Sequence, residues 1–238
     1  MQANLKVQLY VDGADLNVIE RMAKFNWIKG FTTNPSLMRK SGTTNYKEFA
    51  LKSLNFIGPK PISFEIFADD YQGMLEQGLT IASWGENVYV KIPVINTKGE
   101  STAKVIRQLS QRGVKLNVTA IFTIDQVKEV ADNLQSNVPS IISIFAGRIA
   151  DTGRDPMPIM RESKELIKDC TASKLLWASP REVLNVFQAD EVGCDIITAT
   201  PDILNKLDLY NKDLLEFSLE TVQTFYNDAT QAGFEITI

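Results

Sequence analysis

The chain has 238 residues, 44% of them hydrophobic and 23% charged, a balance that lets a protein of this size bury a substantial core. Its 25 basic and 29 acidic residues give a net charge of −4 with no run of like charge, so it offers no electrostatic footprint for nucleic acid or an anionic membrane. It has no histidine, which excludes Ser-His-Asp and Cys-His nucleophilic sites and imidazole-built metal centres, and leaves lysines and carboxylates to carry any chemistry.

Two cysteines, Cys170 and Cys194, are too few for a disulfide framework. Met1-Gln2-Ala3-Asn4-Leu5-Lys6 lacks the apolar segment of a signal peptide, and no apolar run approaches the roughly 18 residues of a membrane span. A cytoplasmic protein acting on a small partner is the expectation, with no metal and no cofactor.

Short β-rich apolar runs recur at residues 7–11, 28–32, 62–67, 88–92, 115–119, 141–145, 175–178 and 195–198. Helical periodicity fills the gaps between them. Leu16, Ile19, Met22 and Ala23 form one apolar stripe within 14–25; Val105, Ile106 and Leu109 form another within 103–112, ahead of Gly113 in a C-cap position, and 127–134 repeats the pattern. Alternating strands and helices without a Pro- or Gly-rich linker predict a single α/β domain over 1–238, closed as a (β/α)8 TIM barrel. An open doubly wound sheet is the alternative, and the lack of Gly-x-Gly-x-x-Gly after a strand counts against its dinucleotide-binding form. Residues 212–232 read as an extra C-terminal helix with a broad apolar surface of Leu214, Leu215, Phe217, Leu219, Val222 and Phe225. Such a surface packs across the barrel or docks on a neighbouring subunit of a homo-oligomer.

In such barrels, catalytic groups come from the C-terminal ends of the strands. Lys91, in Val88-Tyr89-Val90-Lys91-Ile92-Pro93, puts an amine into a buried strand, where lost hydration disfavours its charged form and favours a neutral nucleophile for Schiff-base chemistry. A lysine that reaches solvent or neutralises a buried carboxylate is its structural alternative. Glu65, inside Ser63-Phe64-Glu65-Ile66-Phe67, must point into the barrel or pair with a cation, and Lys91 is the obvious partner. Asp12 follows strand 1, Thr33 and Asn34 follow strand 2, Asn117 and Thr119 lie on strand 5, and Ser143 and Arg148 belong to strand 6 and its loop. Asn34-Pro35, Thr200-Pro201 and Thr123-Ile124-Asp125-Gln126 also read as helix caps, and Asp15 as the cap of the first helix. Ser179-Pro180-Arg181-Glu182 reads as a capping box too, and a helix starting there would aim free N–H groups, with Arg181 beside them, at a phosphate.

These motifs resemble one family. Tyr10-Val11-Asp12, Thr32-Thr33-Asn34-Pro35-Ser36-Leu37, Val90-Lys91-Ile92-Pro93, Asn117-Val118-Thr119, Phe145-Ala146-Gly147-Arg148 and Ala178-Ser179-Pro180-Arg181 stand in the order and spacing of transaldolases, and the chain is similar to their small branch, which includes the fructose-6-phosphate aldolases. The resemblance implies that Lys91 forms a Schiff base, that Asp12 is the acid/base group at C3–C4, and that Glu65 and Thr119 hold a relay water. It further implies that Asn34, Asn117 and Ser143 bind substrate hydroxyls and that Arg148, Ser179 and Arg181 bind a sugar phosphate. Family transaldolases carry glutamate in strand 3 and phenylalanine after strand 6, where the aldolases carry glutamine and tyrosine; Glu65 and Phe145 imply transfer rather than cleavage. The chain departs from the family pattern at Ile144 and Ala146, where the family has Pro and Val, and at Pro180, where it has Phe. Aldolase-like cleavage, a non-catalytic barrel that binds sugar phosphates and a sugar-phosphate isomerase that needs no imine are the alternatives.

Overall fold

The structure is a computed structural model that describes residues 4–236. Eight strands, β1 (Gln8–Asp12), β2 (Ile28–Thr32), β3 (Ile62–Glu65), β4 (Val88–Pro93), β5 (Leu116–Ile121), β6 (Ser140–Ile144), β7 (Ser173–Trp177) and β8 (Ile196–Ala199), pair in parallel, and β1 meets β8 to close the barrel. Closure rules out the open sheet. Between them run α1 (Leu16–Ala23), α2 (Pro35–Lys40), α3 (Tyr46–Ile57), α4 (Tyr71–Ala82), α5 (Ala103–Gln111), α6 (Ile124–Asn133), α7 (Ala146–Asp151), α8 (Met157–Leu166) and α9 (Leu184–Glu191). After β8 come α10 (Pro201–Asn205), a 3-10 turn (Lys206–Leu209) and α11 (Leu214–Ala232).

Local sequence explains where these elements start. Asp15 caps α1 through the N–H groups of Asn17 and Val18, Asn34 caps α2 with Pro35 at its first position, and Thr123 and Gln126 form a reciprocal capping box on α6. The strands are covered on both faces, and Val11, Ile28, Phe64, Val90, Leu116, Ile142 and Leu175 have no exposed surface. The C-terminal ends of β3 and β5 differ from the periodicity by two residues, the other six by at most one. β3 stops at Glu65 because Gln77 Oε1 accepts from the N–H groups of Phe67 and Ala68 and draws the chain out of the sheet. β5 runs on to Ile121 through a register shift after Val118, with Ala120 in the left-handed region at φ 59°.

Two compact units divide the chain, Asn4–Leu204, which holds the barrel, and the described part of Asn205–Ile238. In the second, Asp213 caps α11 and Gly233 ends it with φ 66°; Leu214, Leu215, Val222 and Phe225 are all exposed, and no α11 residue is buried. Among the described residues, no helix is long and apolar enough to cross a membrane.

Candidate active site

The strand register places the chemistry. Glu65 on β3 pairs with Lys91 on β4, Lys91 with Asn117 on β5, and Asp12 on β1 with Thr32 on β2. Their side chains meet in a cavity of about 500 Å³ within the barrel unit, whose lining includes Asp12, Asn34, Glu65, Lys91, Asn117, Thr119, Ser143, Phe145, Arg148, Ser179 and Arg181. Of the residues singled out from the sequence, only Thr33 does not line it.

Lys91 is 7% exposed, and its Nζ lies 3.1 Å from Glu65 Oε2 and donates to the Thr33 carbonyl at 3.1 Å. The amine is thus half of an ion pair, and its proton has a carboxylate to go to before any attack. Thr33 helps from beneath: its hydroxyl, fully buried, donates to Ser63 O at 2.9 Å, which fixes the carbonyl that Lys91 uses. Tyr46 donates to the Glu65 carbonyl at 2.9 Å and secures the end of β3. Thr119 Oγ1 is buried with no hydrogen-bond partner, an uncommon state for a hydroxyl and one that suits a group reserved for substrate or water.

A second chain of bonds orders another wall of the cavity. Ser143 donates to Asn117 Oδ1 at 2.6 Å, and Asn117 Nδ2 donates to Ser63 Oγ at 2.9 Å. Asn34 serves twice, since its Oδ1 caps α2 by accepting from Leu37 N at 3.0 Å and its amide N–H₂ stays available to the cavity.

Asp12 is only partly exposed, and burial pushes its carboxyl above the ordinary carboxylate value; Lys91 and the Thr32 hydroxyl pull it down, and Glu65 raises it further. A carboxyl raised in the fold contributes stability that is present below its unfolded value and is lost as pH rises through the folded one. At neutral pH it therefore opposes folding. Asp12→Asn should melt at a higher temperature than the unmodified protein at pH 7, with the gap closing below about pH 4, near the ordinary carboxylate range, in thermal scans across pH.

The end of the cavity expected to bind phosphate differs from the sequence expectation. No helix starts at Ser179: α9 begins at Leu184, Ser179 stands in the left-handed region at φ 60°, and Asn185 Oδ1 accepts from the N–H groups of Arg181 and Glu182. That side chain consumes the N–H groups a helix end would have offered an anion. The Arg181 guanidinium instead makes a two-pronged pair with Asp151, with Nε 3.0 Å from Oδ1 and Nη2 on Oδ2. Arg148 lies over the Phe145 ring, 5.1 Å from its centroid. Lys40, at the end of α2, lines the same cavity as a third cation.

Sequence reasoning passed over Thr32, Ser63 and Thr198, which anchor or line the site. The signal was there. Ser63 sits two residues before Glu65 and so shares its face of β3, and Thr198 is a polar residue near the end of an apolar strand.

The sequence matches the family described as transaldolase/fructose-6-phosphate aldolase over residues 9–236. The chain belongs to this family. Its relatives include a protein named probable transaldolase from Nitrosopumilus maritimus (strain SCM1), 30% identical over 84% of this chain and 87% of the relative, and one of the same name from Anaeromyxobacter sp. (strain Fw109-5), 33% identical over 84% and 89%. Among solved structures, 3-keto-L-gulonate-6-phosphate decarboxylase from Vibrio cholerae O1 biovar El Tor str. N16961 aligns with a TM-score of 0.56 at 10% identity, covering 83% of this chain and 89% of that one. 2,3-dimethylmalate lyase aligns at 0.54 and 12%, covering 97% and 85%. At such identities the likeness is one of fold alone.

Proposed function

We propose that this protein is a transaldolase that moves a dihydroxyacetone unit from a ketose phosphate to an aldose phosphate through a Schiff base on Lys91. The observation that carries this reading is the buried Lys91–Glu65 pair at 3.1 Å, set in a cavity that also holds Asp12 and three cations. Lys91, its proton passed to Glu65, attacks C2 of the ketose, and loss of water gives an iminium, the electron sink for C3–C4 cleavage. Thr119, with its unspent hydroxyl, and Glu65 hold the relay water for that loss. Asp12 takes the C4 hydroxyl proton as the bond breaks, the aldose leaves, and the enamine adds to an incoming aldehyde with the proton returned. Asn34, Asn117 and Ser143 hold the sugar hydroxyls, while Arg148, Ser179 and Arg181 hold its phosphate.

Aldolase-like cleavage is the second reading, since the family's description names both activities. The enamine's fate separates them. Fructose 6-phosphate with erythrose 4-phosphate should give sedoheptulose 7-phosphate far faster than fructose 6-phosphate alone releases dihydroxyacetone. Glu65→Gln combined with Phe145→Tyr should shift that ratio toward release, because an amide cannot exchange protons with a relay water and a phenol beside the site can reposition it. Rapid release without an acceptor by the unmodified protein favours the aldolase. If borohydride with fructose 6-phosphate leaves no adduct, neither activity stands, and a sugar-phosphate binder or an isomerase that forms no imine takes their place.

At the phosphate end, Arg181→Ala should raise KM for phosphorylated donors by roughly 10- to 100-fold, the scale of a charged hydrogen bond. Steady-state kinetics with phosphorylated and unphosphorylated donors checks it, and an unchanged KM would assign the phosphate to Arg148 and Lys40.

A further inference from the structure

Asp12 feels the charge of Lys91, but the side chain that binds it is Thr32. Thr32, its neighbour across the β1–β2 pairing, donates its hydroxyl to Asp12 Oδ1 at 2.8 Å, and the same Thr32 Oγ1 lies 2.5 Å from Thr198 Oγ1 on β8. Both threonines are buried, 3% and 5% exposed, and both line the cavity. A hydroxyl has one proton to give. Thr32 gives its proton to Asp12, so the contact between the threonines is made by the proton of Thr198. The three side chains form a directed chain from Thr198 through Thr32 to Asp12.

We propose that Thr198 is a positioning residue for Asp12: by donating to Thr32 it fixes the direction of Thr32's own donation, so that Asp12 Oδ1 remains an acceptor and Oδ2 is the oxygen that takes and returns the substrate proton. The inference rests on the reading of Asp12 as the acid/base group. Donation into Thr32 polarises its O–H and strengthens the bond it makes to the carboxylate. That bond opposes the effect of burial, which drives the Asp12 carboxyl up. The charged groups acting on Asp12 are Lys91 from β4 and Glu65 from β3; Lys91 bonds to Glu65 and to the Thr33 carbonyl, so removal of the Thr198 hydroxyl, which bonds to Thr32, leaves both in place.

Thr198→Val keeps the shape of the side chain and removes its hydroxyl, Thr198→Ala removes it with less bulk, and Thr198→Ser keeps it. Transfer from fructose 6-phosphate to erythrose 4-phosphate is followed across pH for each, together with borohydride trapping of the Lys91 adduct. Valine and alanine should each lower kcat by about 3- to 10-fold and move the acidic limb of the kcat profile up by roughly half to one pH unit, the size of one neutral hydrogen bond. KM for fructose 6-phosphate and the yield of adduct should stay within about twofold, a change too small to signal a lost hydrogen bond. Serine should return the limb to its original position. An unmoved limb in the valine and alanine proteins with adduct intact overturns this proposal alone, as does a serine protein that behaves like the valine one. Absence of adduct in the unmodified protein overturns the Schiff-base reading and this proposal with it.

Discussion

Lys91→Met should abolish transfer and the borohydride-dependent mass gain while the barrel stays folded. Methionine matches the length of the lysine stem and fits the same channel, but it has no amine, and no other residue in the cavity can form an imine except Lys40 at the rim. The substitution also strips Glu65 of its cation, and breaking such a buried pair from one side costs about 3 kcal/mol. The melting temperature should therefore fall. Adding Glu65→Gln removes the stranded charge and should recover most of that loss without recovering any turnover. Intact-protein mass spectrometry, a transfer assay and thermal melting together separate the chemical role of the pair from its structural one. An adduct that persists in Lys91→Met would assign the nucleophile to another lysine, with Lys40 the first to check.

Gly147→Ala should be nearly as damaging, although glycine and alanine differ by one methyl group. A Cβ on Gly147 would lie 1.6 Å from the Ser179 carbonyl oxygen and 2.6 Å from its carbon, and backbone cannot rotate out of the way as a side chain can. Here the first turn of α7 touches the loop after β7, and the Gly147 N–H donates to Ala178 O at 3.3 Å. Forcing them apart should cost about 1–3 kcal/mol or more, as overpacking does. It also separates Arg148 on α7 from Ser179 and Arg181 on the loop after β7. KM for phosphorylated donors should rise by about tenfold or more, and the melting temperature should drop. A variant that melts and binds like the unmodified protein would mean that α7 and the loop after β7 give way together.

The eight strands were legible because each is an apolar run bounded by polar residues, a pattern that depends only on neighbours in sequence. Helix caps at Asp15, Asn34 and Thr123 were legible for the same reason, since their partners lie two or three residues away. Ser179 was misread because the residue that settles it, Asn185, binds the N–H groups of Arg181 and Glu182 from a helix that starts later. Arg181 reads from sequence as a free cation, and only the fold brings Asp151, 30 residues away, against it. The Thr32–Thr198 contact joins residues 166 apart and exists because the barrel closes, which no local pattern expresses. Lys91 and Glu65 lie between these cases: each was conspicuous as a charge in an apolar strand, and their pairing followed from adjacent strands in register.

The two contacts of Lys91 also fix a count of donors. As an ammonium it has three N–H bonds and spends two, on Glu65 and on the Thr33 carbonyl. A protonated Schiff base has one. On the proposed chemistry, joining the sugar to Lys91 must leave either that carboxylate or that carbonyl without its donor, and hydrolysis gives the donor back. Each imine therefore takes one lysine donor from Glu65 or Thr33, a donor that the relay water can replace and that hydrolysis restores.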